Sequence, residues 1–233
     1  MYMPKKQSSQ TPRRIPTIRT VQFEAQTINQ EKFVKNIERN VVSFGIGIPG
    51  SGKTYLALAT ALKALVEQKC ERVVITRPMV EAGPSIGFQP GNEEEKLGVY
   101  LKHIYDMIYK LLPKVLADDL LDSGKISIGA ITFMRGMNFE NSYVIIDEAE
   151  NLDKKSFYLL LTRICEGSKM IFCGDTGQVD LKNPSESGLN DAVLKFQGKE
   201  NFSVTEFTIE DCRRSKVVME VIKAYFPNST KTK

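Results

Sequence analysis

Histidine and cysteine are scarce in this chain: 233 residues contain one histidine, His103, and four cysteines, Cys70, Cys165, Cys173 and Cys212. No two cysteines stand at a C-x-x-C or other metal-ligand spacing, so neither a zinc site nor a disulfide framework is expected. Four reduced thiols fit a cytoplasmic protein. Long apolar runs are missing too. None approaches the ~18 residues that a membrane span requires, and membrane anchoring is not expected. Acidic residues are absent from the first twenty positions, which hold Lys5, Lys6, Arg13, Arg14 and Arg19 together with Pro4, Pro12 and Pro16. Without those five bases, 27 basic residues face 28 acidic ones, so the net charge of +4 belongs to the tail and the core is near neutral. No apolar segment follows these charges, as a secretory signal would require. Residues 1–19 are therefore expected to form a basic, disordered tail. A contact with a phosphate backbone is its functional alternative, because Lys and Arg need no fixed fold to make one. Residues 227–233 read as a flexible C-terminal tail.

The length suits one sizeable α/β core and is too short for two full nucleotide-binding domains of ~150 to 200 residues each. Residues 20–226 are taken as that domain. Its pattern is short, β-branched apolar runs separated by helical periodicity. The runs are VVSFGI at 41–46, RVVIT at 72–76, YVIID at 143–147 and KMIFCGD at 169–175. Strands of this kind are buried on both faces of a parallel sheet. Helical spacing occupies 54–68, 93–112 and 154–167. Such alternation predicts right-handed crossovers and a mostly parallel sheet sandwiched by helices. Around this core, 20–26 reads as a short strand, 29–39 as a helix capped by Asn29, 124–136 as an extra strand or hairpin, and 213–225 as a terminal helix. Residues 77–92, RPMVEAGPSIGFQPGN, break the pattern, and a long Pro- and Gly-rich loop after a strand lies where open α/β sheets carry function.

The segment GIPGSGKT at 47–54 fits G-x-x-x-x-G-K-[ST] at Gly47, Gly52, Lys53 and Thr54, between a strand and a helix as that motif requires. Its glycines let backbone N–H groups close around phosphates at the positive end of a helix, and Lys53 neutralises the β and γ phosphates. Thr54 is expected to ligate Mg²⁺. The nucleotide-binding set is Gly47, Pro49, Gly50, Ser51, Gly52, Lys53, Thr54 and Tyr55. A P-loop needs a second, acidic strand end, and YVIIDEAEN supplies one: Asp147 for the metal and Glu148 to polarise an attacking water. An acidic cluster stabilised by the dipole of the 154–167 helix is the structural alternative.

Other nucleotide-using classes fit less well. Small-molecule kinases need no water-activating acid, and the N-K-x-D element that reads guanine is missing. The segment FCGDTGQVD resembles the G-D-x-x-Q element of superfamily 1 helicases, in which Gln178 would contact the γ phosphate and the attacking water. Read in order, NQ at 29–30, the P-loop, ITRPMVEAG with GFQPGN, FMRG before VIIDEAEN, CGDTGQVDL and DCRRSKVV resemble the PhoH family of ATPases over roughly 20–225. The R-P-x-V-E-A-G and G-F-x-P-G pair carries most of that specificity.

The resemblance implies a single RecA-like P-loop domain that uses ATP and Mg²⁺ and acts on single-stranded nucleic acid, RNA above all, in unwinding or decay. It also implies that Gln30 reads the adenine edge and that Arg77 and Arg135 face nucleic acid. The plainer roles for that pair are a strand-end cap and a partner for Glu140. The chain departs from the family pattern twice: Glu150 stands where Gln is usual, and Ser215 and Lys216 stand where His-Pro is usual. The second departure leaves Arg213 and Arg214 both open as the terminal arginine, with Arg214 the better aligned. Because superfamily 1 motors complete their site with an arginine from a second domain, Arg214 is expected to act in trans as a finger within a hexameric ring. A nucleotide-dependent switch without translocation and a small-molecule kinase are the rival functions.

Overall fold

The computed structural model describes residues 20–78, 93–131, 136, 138–181 and 183–225. Among these, β1 (Val42–Gly47), β2 (Arg72–Arg77), β3 (Ile126–Ala130), β4 (Ser142–Ile146), β5 (Lys169–Gly174) and β6 (Phe202–Phe207) form one sheet in the order β3-β2-β4-β5-β1-β6. Every pairing is parallel. The helices are α1 (Ile28–Arg39), α2 (Lys53–Val66), α3 (Glu93–Leu111), α4 (Lys114–Asp122), α5 (Lys154–Leu161), α6 (Gly188–Phe196) and α7 (Lys216–Tyr225).

Alternate side chains of each central strand enter opposite apolar layers, as the two-residue period of a strand dictates. Val73, Ile75, Ile145 and Ile171 pack with Phe33, Leu58, Leu62 and Ile108 of α1, α2 and α3. Val74, Val144, Ile146 and Phe172 pack on the other side with Phe157, Leu160 and Leu189 of α5 and α6. All five residues of β4 are buried. Two-sided burial is why the central strands read as unbroken apolar runs.

The departures from the sequence reading have identifiable causes. Residues 20–26 join no ladder, although Val21 is buried. Thr27, not Asn29, caps α1, its hydroxyl accepting from the N–H of Gln30 at 3.2 Å. Asn29 instead donates to Asp211 at 2.9 Å. Helix α5 stops at Leu161, well short of residue 167, because the chain beyond it pairs with Phe139: the Phe139 N–H donates to the Arg163 carbonyl at 3.0 Å and the Cys165 N–H to the Phe139 carbonyl at 2.8 Å. A tertiary pairing overrides the local helical pattern there. The 124–136 segment yields β3, parallel to β2 and so no hairpin, and residues 132–135 lie outside the described residues. Helix α7 starts at Lys216 rather than at 213. Three elements were not anticipated: α4, α6 and β6. Edge strand β6 is half-buried and carries Ser203, Thr205 and Glu206, so it lacks the apolar run of the central strands.

One buried charge ties the two ends of the domain together. The Asp211 carboxylate accepts from the Thr27 hydroxyl at 2.5 Å, the Asn29 amide at 2.9 Å and the Thr208 N–H at 2.8 Å. Burial alone would raise its pKa, but the hydrogen bonds from Thr27, Asn29 and Thr208 outweigh it and hold the carboxyl below its ordinary 3.8. A group depressed in the folded state stabilises fully above its unfolded pKa and loses that contribution as the pH falls through the folded value. Asp211→Asn is therefore expected to cost about 2 kcal/mol at pH 7. The difference in urea midpoint between wild type and variant should shrink below pH 3.8; an equal difference at pH 7 and pH 3 would refute the assignment.

Candidate nucleotide-binding site

The phosphate loop turns between β1 and α2 on three glycines of positive φ, Gly47 at 129°, Gly50 at 79° and Gly52 at 85°. The loop is braced from behind. The Ser51 hydroxyl donates to the Ile48 carbonyl at 2.9 Å, and the Gln30 amide nitrogen donates to the Ser51 carbonyl at 3.0 Å. The other end of the same amide accepts the Gln26 N–H at 2.7 Å. Gln30 is thus buried with both polar ends engaged by the protein, and it supports the P-loop where an open adenine-reading edge was expected. Gly47 and Ser51 likewise shape the loop without lining the cleft, whereas Pro49, Gly50, Gly52, Lys53, Thr54 and Tyr55 line it.

That cleft, about 860 Å³, joins these residues to Asp147, Glu148, Gln178 and Arg214. The Lys53 ammonium donates to the carbonyls of Gly47 at 2.6 Å and Ile48 at 2.8 Å. Burial lowers its pKa, opposed by Cys173 and the acids Asp175, Glu150 and Asp147. The Thr54 hydroxyl donates to Asp147 Oδ1 at 2.6 Å. The Asp147 N–H donates to the Thr76 carbonyl at 2.8 Å, which fixes the carboxylate at the end of β4. Burial pushes the Asp147 carboxyl up, partly offset by the Thr54 hydrogen bond.

A hydroxyl and a carboxylate in contact are hard oxygen donors, the kind Mg²⁺ takes in ones or twos while phosphates and water complete its shell. Among the described residues no group of three or more His, Cys, Asp or Glu side chains could hold a metal unaided. The Thr54–Asp147 oxygen pair fits a cation that arrives with phosphates. In that arrangement Thr54 and Asp147 would hold it, and it would offset charge on the phosphate oxygens.

Glu148 follows in a left-handed conformation, φ 50°, and its carboxylate forms an ion pair with the Arg77 guanidinium at 2.9 Å. Burial raises the Glu148 pKa and Arg77 opposes the rise. Arg77, expected toward nucleic acid, thus lines the nucleotide cleft itself. Glu150 turns inward to accept the Asp175 N–H at 3.0 Å, and burial pushes its carboxyl up to about 7. Gln178 is set by a turn in which its N–H donates to the Asp175 carbonyl at 3.0 Å. Arg135 lies outside the described residues.

The two terminal arginines separate cleanly. Arg213 donates from its backbone to the Gly50 carbonyl at 3.1 Å and from its guanidinium to the Gln26 carbonyl at 2.7 Å. Arg214 lies over Gly50, so close that a Cβ there would come within 2.6 Å of its Nε. The in-trans expectation placed Arg214 toward the phosphates of a neighbouring subunit. Arg214 lines the cleft of its own chain, because Cys212 and Arg213 dock on Pro49 and Gly50 of the same P-loop and carry their neighbour with them. Sequence reasoning also missed His103 and Met107, which reach the cleft from α3. A lone histidine on an amphipathic helix gives no local signal of such a position.

The chain matches the model of the PhoH family, described as PhoH-like protein, over residues 22–226. The PhoH-like protein of Bacillus subtilis is 39% identical over 199 residues, which cover 85% of this chain and 62% of that protein. Its counterpart in Mycobacterium tuberculosis is 38% identical over 199 residues, 85% of this chain and 56% of that protein. The chain thus spans somewhat more than half the length of these relatives. Among solved structures, the large terminase of a thermophilic bacteriophage aligns with a TM-score of 0.51 at 12% identity, over 84% of this chain and 49% of the terminase, a likeness of fold. With the parallel RecA-like sheet, the P-loop cleft and a family match running through nearly all of the domain, this chain belongs to the PhoH family of P-loop nucleotide-binding proteins.

Proposed function

We propose that this chain is a Mg²⁺-dependent ATPase whose cycle drives movement along single-stranded nucleic acid, RNA first among the candidates, in the cytoplasm. The observation that carries the reading is the convergence of Lys53, the Thr54–Asp147 pair, Glu148 and Gln178 on one cleft. P-loop amides and Lys53 bind and orient the triphosphate. Glu148 takes a proton from the attacking water as its oxygen bonds to the γ phosphorus and the bond to the β-phosphate oxygen breaks. Gln178 orients that water and passes the state of the γ phosphate to the turn at Asp175. Arg214, beside the P-loop, stabilises charge on the phosphates bound by its own chain.

A slow switch without translocation is the second reading, favoured by the ion pair that engages Glu148. Strand displacement on a tailed RNA duplex separates the two, since a switch binds without unwinding.

Glu148→Gln is expected to bind ATP but lower kcat at least about a hundredfold, whereas Lys53→Ala should lose nucleotide binding or turnover while remaining folded. Full turnover in either folded variant would refute the role given to that residue. Arg214→Ala should also lower kcat at least about a hundredfold. If the arginine serves its own chain, mixing Arg214→Ala with Lys53→Ala protein restores nothing, even where exchange of labelled subunits is demonstrated. Recovery on mixing would overturn the in-cis role and reinstate a shared site.

A further inference from the structure

The ion pair between Arg77 and Glu148 occupies the carboxylate that the proposed chemistry needs free, and the inference here rests on that reading of Glu148. Arg77 is the last residue of β2 and Glu148 follows β4, and these strands are hydrogen-bonded neighbours, so the pair bridges two adjacent strand ends. Three features set its character. The guanidinium sits 2.9 Å from Oε2, taking one carboxylate oxygen as a hydrogen-bond acceptor. An oxygen engaged by a guanidinium N–H is not open to the proton of an attacking water. The Glu148 backbone is in the left-handed region, at φ 50°, where a residue with a side chain persists only if its surroundings hold it.

Both side chains remain open to solvent, Arg77 at 30% and Glu148 at 38% exposure, and a half-exposed ion pair is weak enough to exchange partners. An arginine fork also binds phosphate oxygens as readily as carboxylate, often through two hydrogen bonds at once.

We propose that Arg77 is a positioning residue that restrains Glu148, and that a phosphodiester group of single-stranded nucleic acid competing for its guanidinium frees the carboxylate to activate water. ATP hydrolysis would then be slow without nucleic acid and fast with it. No contact between the strand and the P-loop is needed, only the transfer of one guanidinium from carboxylate to phosphate.

The test measures kcat and KM for ATP with and without single-stranded RNA in wild type, Arg77→Gln, Arg77→Lys and Glu148→Gln proteins and in the Arg77→Gln/Glu148→Gln double variant. Arg77→Gln is expected to raise unstimulated kcat at least about threefold, to leave KM within about twofold, and to bring the ratio of stimulated to unstimulated rate close to one. Arg77→Lys keeps a cation beside Glu148 and should restore the low basal rate. The double variant should be as slow as Glu148→Gln alone.

A fall of unstimulated kcat in Arg77→Gln toward the Glu148→Gln level would overturn the restraint, and so would an unchanged basal rate. A gain that survives in the double variant would mean that Arg77 acts elsewhere. A changed KM with full stimulation retained would show that the phosphates of ATP, not those of the strand, compete for the guanidinium, and would overturn the proposed release. Wild-type turnover in Glu148→Gln alone is a different outcome: it removes the catalytic role of Glu148, whatever Arg77 does. Matching melting curves separate each of these from simple misfolding.

Discussion

A sheet whose strands all run the same way delivers every strand's carboxyl end to one edge, and the site follows from that constraint. The P-loop leaves β1, Arg77 ends β2, Asp147 and Glu148 leave β4, Asp175 and Gln178 leave β5, and Arg214 comes shortly after β6. Residues far apart in the chain, from the P-loop to Arg214, therefore meet in one cleft. This edge is where open α/β sheets bind ligands, because there alone loops from several strands converge on helix N-termini. The order β3-β2-β4-β5-β1-β6 adds a further condition. Strand β5 lies between the strand of the P-loop and that of Asp147, so the loop carrying Gln178 emerges between the P-loop and Asp147.

The same convergence crowds charge into a poorly solvated space. Burial lowers the pKa of Lys53 and raises those of Asp147, Glu148 and Glu150, the direction expected when charged forms are taken from water. Each group then depends on its partners to stay ionised. Thr54 supports Asp147 and Arg77 supports Glu148. Glu150 has backbone support alone, from its own residue and from the Asp175 N–H, beside two acids, and is the acid pushed up to about 7. A Gln at that position would accept the same N–H through its amide oxygen with no charge to desolvate. The carboxylate here serves the same geometric end, joining the acidic segment after β4 to the turn after β5.

Much of this was legible in the sequence because it depends on local signals. The GIPGSGKT spacing, the apolar runs of the buried strands and the DE pair at a strand end each follow from chemistry that acts within a few residues. What was not legible depends on distant partners. The end of α5 is set by pairing of its following residues with Phe139, and β6 is half-exposed at an edge, so its polar residues conceal it. The orientation of Gln30 needed Gln26 and Ser51 in place, neither of which marks itself as a partner. Arg213 and Arg214, adjacent and chemically alike, could be told apart only by where each lands, Arg213 on the Gln26 and Gly50 carbonyls and Arg214 against Gly50 in the cleft.

That last distinction has mechanical content. The P-loop is held from two sides, by Gln30 of α1 at Ser51 and by the Cys212–Arg213 segment at Pro49 and Gly50. Both supports are joined to each other, since Asp211 accepts hydrogen bonds from Thr27 and Asn29 at the start of α1. A displacement of the loop when phosphates bind would therefore be felt at once by the chain leading into α7. The side chain of Arg214 sits at that junction, over the one P-loop position where the absence of a Cβ leaves room for it. Any larger residue at position 50 would meet the guanidinium and would also strain a backbone held at φ 79°, whose carbonyl accepts the Arg213 N–H. The geometry of this glycine is thus what lets Arg214 lie against the P-loop of its own chain.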